Sequence, residues 1–482
     1  MTHSFARPWS IFRLGLGLGF ALAACGDSAK QTSDAPLPPD AAPDAPGTTP
    51  FVRPTPFAVP LSAAGPDQLQ SLTPAPGGAF YAAGYAATTL TGPRMVTVVK
   101  FSATGLDTAF GTGGVVTTSV PFVGGADEVD ITTQPDGKIL VSATVASATN
   151  ASDRDIAVIR LLDTGGLDPT FGTGGVATIN VNDAVLVGDP AVLTGLDASR
   201  GLTASASAIF VHAVSRGKLE LTPGTARTDT DFTVVKLTPT GEIDTAFGSD
   251  GRYQLDIGLS NATARAIRVL DDGKLLAGGY ANSPGVGTTQ PVLYKLTAAG
   301  QLDTTFAQGG VFHETVLAQQ TEVYNFAIHG SRFVTGGYGR ATGTTNDYIS
   351  LRFDLETGVR DLTWGGTTDG AVVFDPSGTK LGSNCRGAFA LPGGKTLLVG
   401  STGPSNQPTQ DAVFAVLDAQ GALDTSYGSG VHKFALGADG NDQFWGAAVS
   451  GNTVAIVGWK GGGTAPTETS NDDAWGVVFA LR

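Results

Sequence analysis

The chain has 482 residues, of which 41% are hydrophobic and 15% are charged, and this is enough apolar material for a sizeable core. Its 67 glycines stand at regular points between short β-like runs, so they indicate many turns rather than disorder. The formal net charge of −14 repels a phosphate backbone, and we therefore expect no nucleic acid among the partners of the protein.

Residues 1–24 have the pattern of a lipoprotein signal peptide. Arg7 and Arg13 precede an apolar stretch that ends at Ala24 and is much shorter than the roughly 20 residues of a membrane-spanning helix. The sequence Leu-Ala-Ala-Cys at 22–25 resembles the bacterial lipobox. This resemblance implies cleavage before Cys25, lipidation of Cys25 and membrane attachment through the N-terminus. Aspartate follows at position 27 rather than 26, which by resemblance to sorting signals implies the outer membrane, on either its periplasmic or its surface face.

Residues 25–56 are expected to form a disordered tether behind the lipidated cysteine. The segment is rich in proline, alanine and aspartate and has almost no large apolar residue before Phe51. Such a composition cannot bury a core, and it favours an extended chain. The tether would hold a folded domain away from the membrane.

An internal repeat dominates the remaining chain, residues 57–482. A phrase with the pattern Leu-Asp-x-x-Phe-Gly, varied in some copies, occurs six times at intervals of about 60 residues. Its aspartates are Asp107, Asp168, Asp244, Asp303, Asp361 and Asp424. Its aromatic positions hold Phe110, Phe171, Phe247, Phe306, Trp364 and Tyr427.

Each copy of the phrase belongs to a larger unit of four short runs rich in Val, Ile, Phe and Tyr, bounded by Gly, Asp or Pro. These runs predict strands joined by turns, and no helical period is present. The pattern Asp-Gly-Lys-Ile-Leu-Val at 136–141, followed by the phrase, resembles the delta-60 repeat family of bacterial β-propeller domains. The resemblance covers residues 57–482 and implies an all-β fold with a single β-propeller.

The number of units predicts seven four-stranded blades. Third-strand runs occur seven times, and the last is followed directly by the end of the sequence at Arg482. The run at 57–62 precedes the first unit and has no unit of its own. We therefore expect this N-terminal strand to pair with the last blade and to close the ring.

The repeated residues are expected to be structural. An aspartate can accept hydrogen bonds from backbone N–H groups two residues on, and the aromatic residue can pack between neighbouring blades. A basic residue recurs in the third strand at Lys100, Arg160, Lys236, Lys295 and Arg352. Val416 takes that place in unit 6 although Asp424 remains, which predicts that the aspartate needs no cation. A second set precedes the third strand and predicts turns, or an acidic face that suits cations: Asp155, Asp231, Asp347, Asp411 and Asp473.

No catalytic residue, cofactor or metal site is predicted. The five histidines are scattered without zinc spacing, and the sequence has no phosphate loop, nucleophile elbow or dinucleotide fingerprint. With Cys25 lipidated, Cys385 cannot form an internal disulfide, and we expect a buried structural thiol. The variable loops are the better candidates for function: 180–208, 216–230, 281–290, 401–410 and 460–472.

Three functions remain open for the propeller. We expect a monomeric, non-enzymatic binding scaffold for a protein or a glycan at the cell envelope. The first alternative is an extracytoplasmic hydrolase or lyase with its site at one mouth of the channel. The second is a structural envelope protein without a specific ligand. A fold does not decide between these classes, because function depends on the site that the fold carries.

Overall fold

The computed structural model describes residues 50–123, 128–150, 153–182, 186–187, 192–193, 197–216, 229–282, 287–403, 410–437, 441–461 and 472–482. The predicted signal peptide, Cys25 and the predicted tether as far as residue 49 lie outside the described residues. So do parts of each predicted variable loop. Over the described ranges, none of the helices combines the length and the apolar character that crossing a membrane requires.

Short strands account for nearly all the regular structure of the described chain. Strand β1 (Phe57–Ala58) comes first. Unit 1 contains β2 (Asp67–Ala75), β3 (Ala79–Ala86), β4 (Arg94–Ser102), β5 (Gly105–Leu106) and β6 (Val115–Phe122). Unit 2 contains β7 (Asp130–Thr133), β8 (Ile139–Ala146), β9 (Arg154–Leu161) and β10 (Val176–Ile179). Two short strands, β11 (Leu186–Val187) and β12 (Val192–Leu193), pair with each other before unit 3.

The following units repeat the same order of four strands. Unit 3 contains β13 (Ala198–Ala204), β14 (Ile209–Arg216), β15 (Thr230–Leu237) and β16 (Arg252–Leu255). Unit 4 contains β17 (Ala262–Val269), β18 (Leu275–Asn282), β19 (Thr289–Leu296) and β20 (Val311–His313). Unit 5 contains β21 (Gln320–His329), β22 (Arg332–Arg340), β23 (Asp347–Asp354) and β24 (Ala371–Phe374).

The last two units complete the described chain. Unit 6 contains β25 (Ser383–Ala390), β26 (Thr396–Thr402), β27 (Asp411–Leu417) and β28 (Val431–Phe434). Unit 7 contains β29 (Gln443–Ser450), β30 (Thr453–Lys460) and β31 (Asp473–Ala480). Short 3₁₀ turns occupy Pro76–Gly78, Trp364–Gly366, Pro392–Gly394 and Thr425–Tyr427.

Each unit is an antiparallel sheet in which the four main strands pair in sequence order. Unit 7 obtains its fourth strand from the other end of the chain. Phe57 is opposite Gly476 and Ala58 is opposite Trp475. The N–H of Val59 extends this pairing with a hydrogen bond of 2.8 Å to the carbonyl of Ala474. The N-terminal strand thus lies where the sequence predicted it, beside the last strand.

The first strand of each unit contacts the first strands of its two neighbours in sequence, and the first strand of unit 7 contacts that of unit 1. Seven clusters of buried apolar side chains lie at the seven seams between units. The seam between units 7 and 1 is built like the others, with Leu72 and Phe80 packed beside Val457 and Val59. Removal of this apolar surface from water is the main force that holds the units together.

The antiparallel pairing gives every sheet two distinct ends. At one end the first strand begins, the second ends and the third begins, as where Asp67 pairs with Ala86 and Ala86 with Met95. We call this the mouth end, because the variable loops between second and third strands leave from it. The opposite end carries the repeated phrases and is called the phrase end. The chain enters β1 from the phrase end.

One predicted boundary was wrong. The insertion predicted at 180–208 is too long, because Ala198–Ala204 is the first strand of unit 3. This strand has small residues and little β-branched character, so its pattern did not predict a strand. The last residues of the predicted tether, which was expected to end at 56, contact the domain. Phe51 packs against Tyr427 with ring centroids 5.4 Å apart, and Arg53 stacks on Phe434, because these side chains find apolar partners on the propeller.

Candidate functional site

The six repeated aspartates cap the turn that follows the third strand in units 1 to 6. In every copy, a carboxylate oxygen accepts a hydrogen bond of 2.9 to 3.2 Å from the backbone N–H two residues further on. In three copies, the hydroxyls of Thr170, Thr305 and Thr363 donate to the same carboxylate. This geometry is that of an Asx turn.

Each of these aspartates also has a cation within ion-pair distance. The third-strand residues Lys100, Arg160, Lys236 and Arg352 lie 2.7 to 2.8 Å from their own aspartates. Val416 does not leave Asp424 without a cation, because Lys395 pairs with Asp424 at 2.8 Å, and the independence of the cap from a cation stays a prediction. Lys395 immediately precedes the second strand of its unit, and in unit 4 the equivalent Lys274 pairs with Asp303 at 2.9 Å. The cation can therefore come from either of two strands.

The repeated aromatic residues lie at the seams, and each is at most 2% exposed. In units 1 to 5 the residue after the aromatic donates a backbone hydrogen bond of 2.7 to 3.0 Å to a carbonyl in the next unit. A glycine of that next unit lies against the ring. At Gly421, whose φ is +92°, an added Cβ would approach the Trp364 ring to 2.9 Å. In unit 6 the hydroxyl of Tyr427 instead accepts a hydrogen bond of 2.9 Å from the N–H of Arg482.

The phrases are therefore distributed over six units, and they join neighbouring units to one another. Their aspartates do not converge on one place, so they cannot form a single catalytic or metal centre. Cys385 is likewise part of the interior. It is fully buried, and burial raises the pKa of its thiol to about 12, which leaves it protonated and unreactive.

The mouth end carries a different set of aspartates, which join a fourth strand to the first strand of the next unit. Asp67 accepts hydrogen bonds from the N–H groups of Ser62 and Ala474. Asp197 accepts from Val181 and Asn182. Burial raises the pKa of Asp67 to about 7 and that of Asp197 to about 8, although these hydrogen bonds act in the opposite direction.

Asp442 caps a third junction of this kind. Its carboxylate accepts hydrogen bonds from the N–H groups of Leu436, Gly437 and Gly461, and burial raises its pKa to about 6. At least one carboxylate oxygen of each of these aspartates thus accepts hydrogen bonds from backbone donors. Their position between strands indicates that they connect the units.

The aspartates predicted at the start of the third strands all lie at the mouth end. Several are paired, for example Asp347 with Lys380 at 3.1 Å and Asp473 with Lys460 at 3.4 Å. Asp231, together with Asp229 and Asp256, brings three carboxylate oxygens within 4.8 Å of one another. The idea that this acidic face suits cations stays a prediction.

A second repeated feature near the mouth end is an irregularity in the first strand. Six of the seven first strands have a register shift at the same position of the unit, as β-bulges do. The residues inside these shifts include Gln70, Arg200, Arg265, Tyr324, Arg386 and Trp445. Unlike the residues of the phrase, these residues differ in chemistry from unit to unit.

Arg386 stands at the centre of an aromatic cluster formed by these positions. Its guanidinium carbon is 4.9 Å from the ring centroid of Tyr324, 5.6 Å from that of Tyr338 and 4.7 Å from that of Trp445. Trp445 stacks in turn on Trp459, with centroids 5.1 Å apart. Arg386 is partly exposed, and no residue within the described ranges forms a hydrogen bond or an ion pair with its side chain.

Arg265 contacts the same tyrosine. Its guanidinium carbon is 3.9 Å from the Tyr324 ring centroid, it donates to the Tyr280 hydroxyl over 3.0 Å, and it forms an ion pair with Glu128. Its side chain is only 7% exposed. Arg265 therefore has a carboxylate and a phenol as polar partners, although its buried Nε atom has none within the described chain, whereas the ring contacts of Arg386 bring it no carboxylate partner there. Glu128 offsets the charge of Arg265, so Arg386 is the arginine of this pair whose charge has no paired carboxylate among the described residues.

The two tyrosines of the cluster and two buried histidines outside it are neutral near pH 7. Burial raises the pKa values of Tyr324 and Tyr338, whose hydroxyls are 3.0 Å apart, so both phenols remain protonated donors. Burial also lowers the pKa of His212 to about 3 and that of His329 to about 4. Neither histidine is matched to acid–base catalysis near neutral pH.

Comparisons with known proteins agree with the strand topology. A family model described as "Domain of unknown function (DUF5122) beta-propeller" matches residues 134–171 and 270–306. No curated protein matches the sequence. The solved structures similar to this chain include the β-propeller domain of the Trilobed protease from Pyrococcus furiosus, at 11% identity and a TM-score of 0.39, covering 84% of this chain and 95% of that one.

Two further similar structures belong to proteins of other kinds. The Pan2 WD40 domain of Neurospora crassa is 9% identical with a TM-score of 0.40, and 86% of this chain and 89% of that chain are covered. Trypanosoma rangeli sialidase is 9% identical with a TM-score of 0.41, and 75% of this chain and 56% of that chain are covered. At these values the likenesses carry no argument about activity.

The protein is an all-β, β-propeller-domain protein. Each of the two matched segments begins at the turn before a second strand and ends at the aromatic residue of the repeated phrase. The delta-60 resemblance was based on these same features. That resemblance is confirmed for the propeller domain.

The residues of the aromatic cluster were not predicted as a site. Repetition along the sequence indicated the strands and turns, but the residues at the irregular position of the first strand do not repeat. Alignment of the units by their third-strand positions would have placed Arg265 and Arg386 in equivalent positions, although the longer loop of unit 3 shifts Arg200 out of that register. It would not have shown that Tyr338 and Trp459, which belong to second strands, lie beside them.

Proposed function

We propose that the protein is a non-enzymatic binding protein: a lipid-anchored, seven-bladed propeller that binds a protein or glycan ligand at its mouth end. One observation carries this proposal. Residues at the equivalent irregular position of the first strands are chemically diverse and lie at a mouth, while the phrase residues that join the units are nearly invariant from unit to unit. A position that served only packing would repeat the same residue type.

The cluster has the composition of a recognition surface. It combines aromatic faces, an arginine and neutral phenol donors, which are typical of ligand-binding sites and interface centres. Side-chain amides of Gln68, Gln70, Gln410 and Gln443 lie in the same region and hydrogen bond with one another or with neighbouring groups. Planar amides of this kind can exchange these partners for hydroxyl or peptide groups of a ligand.

The point of chain entry supports display of the mouth end. Pro50 accepts a hydrogen bond of 3.3 Å from Arg482, and Phe51 packs beside Tyr427, so the chain enters the domain at the phrase end. If Cys25 is lipidated, the described part of the chain joins the domain at the end opposite the mouth, which leaves the mouth free of the N-terminal connection.

To test the proposal, the full-length protein is immobilised, and its retention of soluble envelope polysaccharide and protein fractions is measured. We expect Trp445→Ala to lower retention at least tenfold, since the indole is a large partly exposed face of the cluster. The matched control is Leu362→Ala, which removes an exposed apolar side chain at 53% exposure at the phrase end and should leave retention unchanged.

The same samples are also assayed for release of reducing ends or peptides. This assay distinguishes a binding protein from a hydrolase or lyase and from a structural protein. Retention without release supports the binding protein. Release that stops in the Trp445→Ala protein would mean that the mouth is the site of a hydrolase or lyase. A folded protein that retains nothing would favour a structural role in the envelope.

A further inference from the structure

We propose that the mouth binds an anionic polysaccharide through the carboxylate of a uronic-acid residue, with Arg386 as the anion-binding group. This inference rests on the proposed function and specifies its ligand. Its starting point is the contrast between Arg386 and the other arginines near the cluster. Arg265 has both a carboxylate and a phenol as partners, whereas Arg386 contacts three aromatic rings.

An arginine in this position is costly unless an acceptor reaches it. The guanidinium has five N–H donors, and aromatic faces stabilise its charge without accepting those donors in hydrogen bonds of full strength. The Nε atom of Arg386 is buried without a hydrogen-bond partner among the described residues. The side chain is nevertheless partly exposed, so a ligand acceptor can approach its outer edge.

The rings around Arg386 also fix its orientation. Contacts with Tyr324, Tyr338 and Trp445 restrict the guanidinium and reduce the entropy lost when a ligand binds. A planar carboxylate matches the guanidinium fork with two parallel hydrogen bonds. The charge of Arg386 would attract that carboxylate to the cluster.

The neighbouring groups favour a sugar ring over a peptide as the carrier of the carboxylate. The indole of Trp445 is held flat by its stack on Trp459 and is partly exposed, so it can pack against the C–H face of a sugar ring. The hydrogen-bonded phenols of Tyr324 and Tyr338 can donate to and accept from hydroxyl groups. Together they would contact a carboxylate, a ring face and hydroxyls, the three groups that a uronic acid presents side by side.

Equilibrium binding of three uronate oligomers to the folded full-length protein in detergent tests this inference. The probes are oligogalacturonate, oligomannuronate and oligoglucuronate, and the matched ligand is methyl-esterified oligogalacturonate, which keeps the rings and loses the charge. We expect at least one acidic oligomer to bind and its methyl ester to bind at least tenfold more weakly. Arg386→Gln should weaken binding of the acidic oligomer between tenfold and a hundredfold. Arg386→Lys should recover only part of that loss, because lysine lacks the fork.

Lys433→Gln is the control for the change in charge, because Lys433 is exposed on the last strand of unit 6 and should not affect binding. Thermal unfolding of each variant confirms that it is folded. Equal affinity for the acid and the ester, unchanged binding by Arg386→Gln, or no binding of any acidic oligomer would overturn the inference. Equal binding of oligoglutamate that depends on Arg386 but not on Trp445 would also overturn it in favour of an acidic peptide. If neutral glycans bind in a manner that depends on Trp445 alone, the proposed binding function stands and only the anionic ligand is wrong.

Discussion

The phrase aspartates combine two interactions that the sequence treated as alternatives. Asp303 accepts hydrogen bonds from both the N–H and the hydroxyl of Thr305, and it forms an ion pair with Lys274. These interactions lower the pKa of Asp303 to about 2, with the Thr305 hydroxyl as the largest cause. The same turn places Phe306 in the seam, so loss of the cap affects the contact with the next unit as well as the turn.

We predict that Asp303→Asn destabilises the protein by about 1 kcal/mol, the usual cost of losing a cap or a charge-assisted hydrogen bond. Urea unfolding at pH 7 measures this difference. The folded chain holds the Asp303 proton less tightly than the unfolded chain does. The stabilisation that ionised Asp303 gives to the folded protein is therefore complete above pH 4 and disappears as the pH falls toward 2. Glu242→Gln, an exposed change in unit 3, is the control, and equal stability of the two variants would refute the capping role.

At the scale of secondary structure elements, the aspartates of the mouth end connect successive units. Asp197 holds the chain beyond β10 through the N–H groups of Val181 and Asn182 and immediately precedes β13. Asp67 and Asp442 act in the same way at two other junctions. Their raised pKa values have the opposite sign from those of the phrase aspartates, because burial outweighs the hydrogen bonds.

We predict that Asp67, Asp197 and Asp442 favour the folded protein more at pH 5 than at pH 8. The folded chain binds the protons of these aspartates more tightly than the unfolded chain does. Their contribution is therefore complete below about pH 4 and is lost as the pH rises through 6 to 8. The buried His212 and His329, whose pKa values are lowered, act in the opposite direction below about pH 6.5, so the aspartate contribution is isolated by comparing unfolding temperatures of the native protein and an aspartate variant across this range. Asp197→Asn keeps an acceptor for the backbone N–H groups and should flatten the profile, whereas an unchanged profile would show that Asp197 does not titrate in this range.

Repetition made the strands and turns predictable. Each phrase marks the end of a third strand, and each Asp-Gly or Gly-Gly turn marks the hairpin before a second strand, because these backbone conformations have few alternatives. The strand at Ala198–Ala204 was missed since its residues are small and its burial comes from neighbouring units. Lys395 was missed for a related reason. Its role depends on the register between the second and third strands, which the residue pattern does not specify.

For the whole molecule, the sequence predicted the propeller but not the place that we propose for its binding site. The fold follows from residues that are alike in every unit. The candidate site instead depends on differences between units at Tyr324, Arg386 and Trp445, and on side chains of separate units that converge near the mouth end. Convergence of this kind is a property of three-dimensional packing, and spacing along the chain does not reveal it.

Contacts between the two ends of the described chain join the last unit to the first. Val59 and Phe57 lie in the cluster that also contains Phe80 of unit 1 and Val457 of unit 7. The C-terminal Arg482 contacts Tyr427 and Pro50 nearby. The mouth is therefore built on strands that are held on both sides, which favours a preformed site over one assembled by the ligand.

Hydrogen–deuterium exchange of the full-length protein, with and without the ligand fraction that it retains, tests the central claim most directly. We predict slower exchange on ligand binding around residues 322–326, 384–388 and 443–447, and no change at the phrase turns around residues 107, 168 and 244. Protection at the phrase turns or on the outer strands, with none at the three first-strand segments, would contradict the assignment of the mouth end as the binding site.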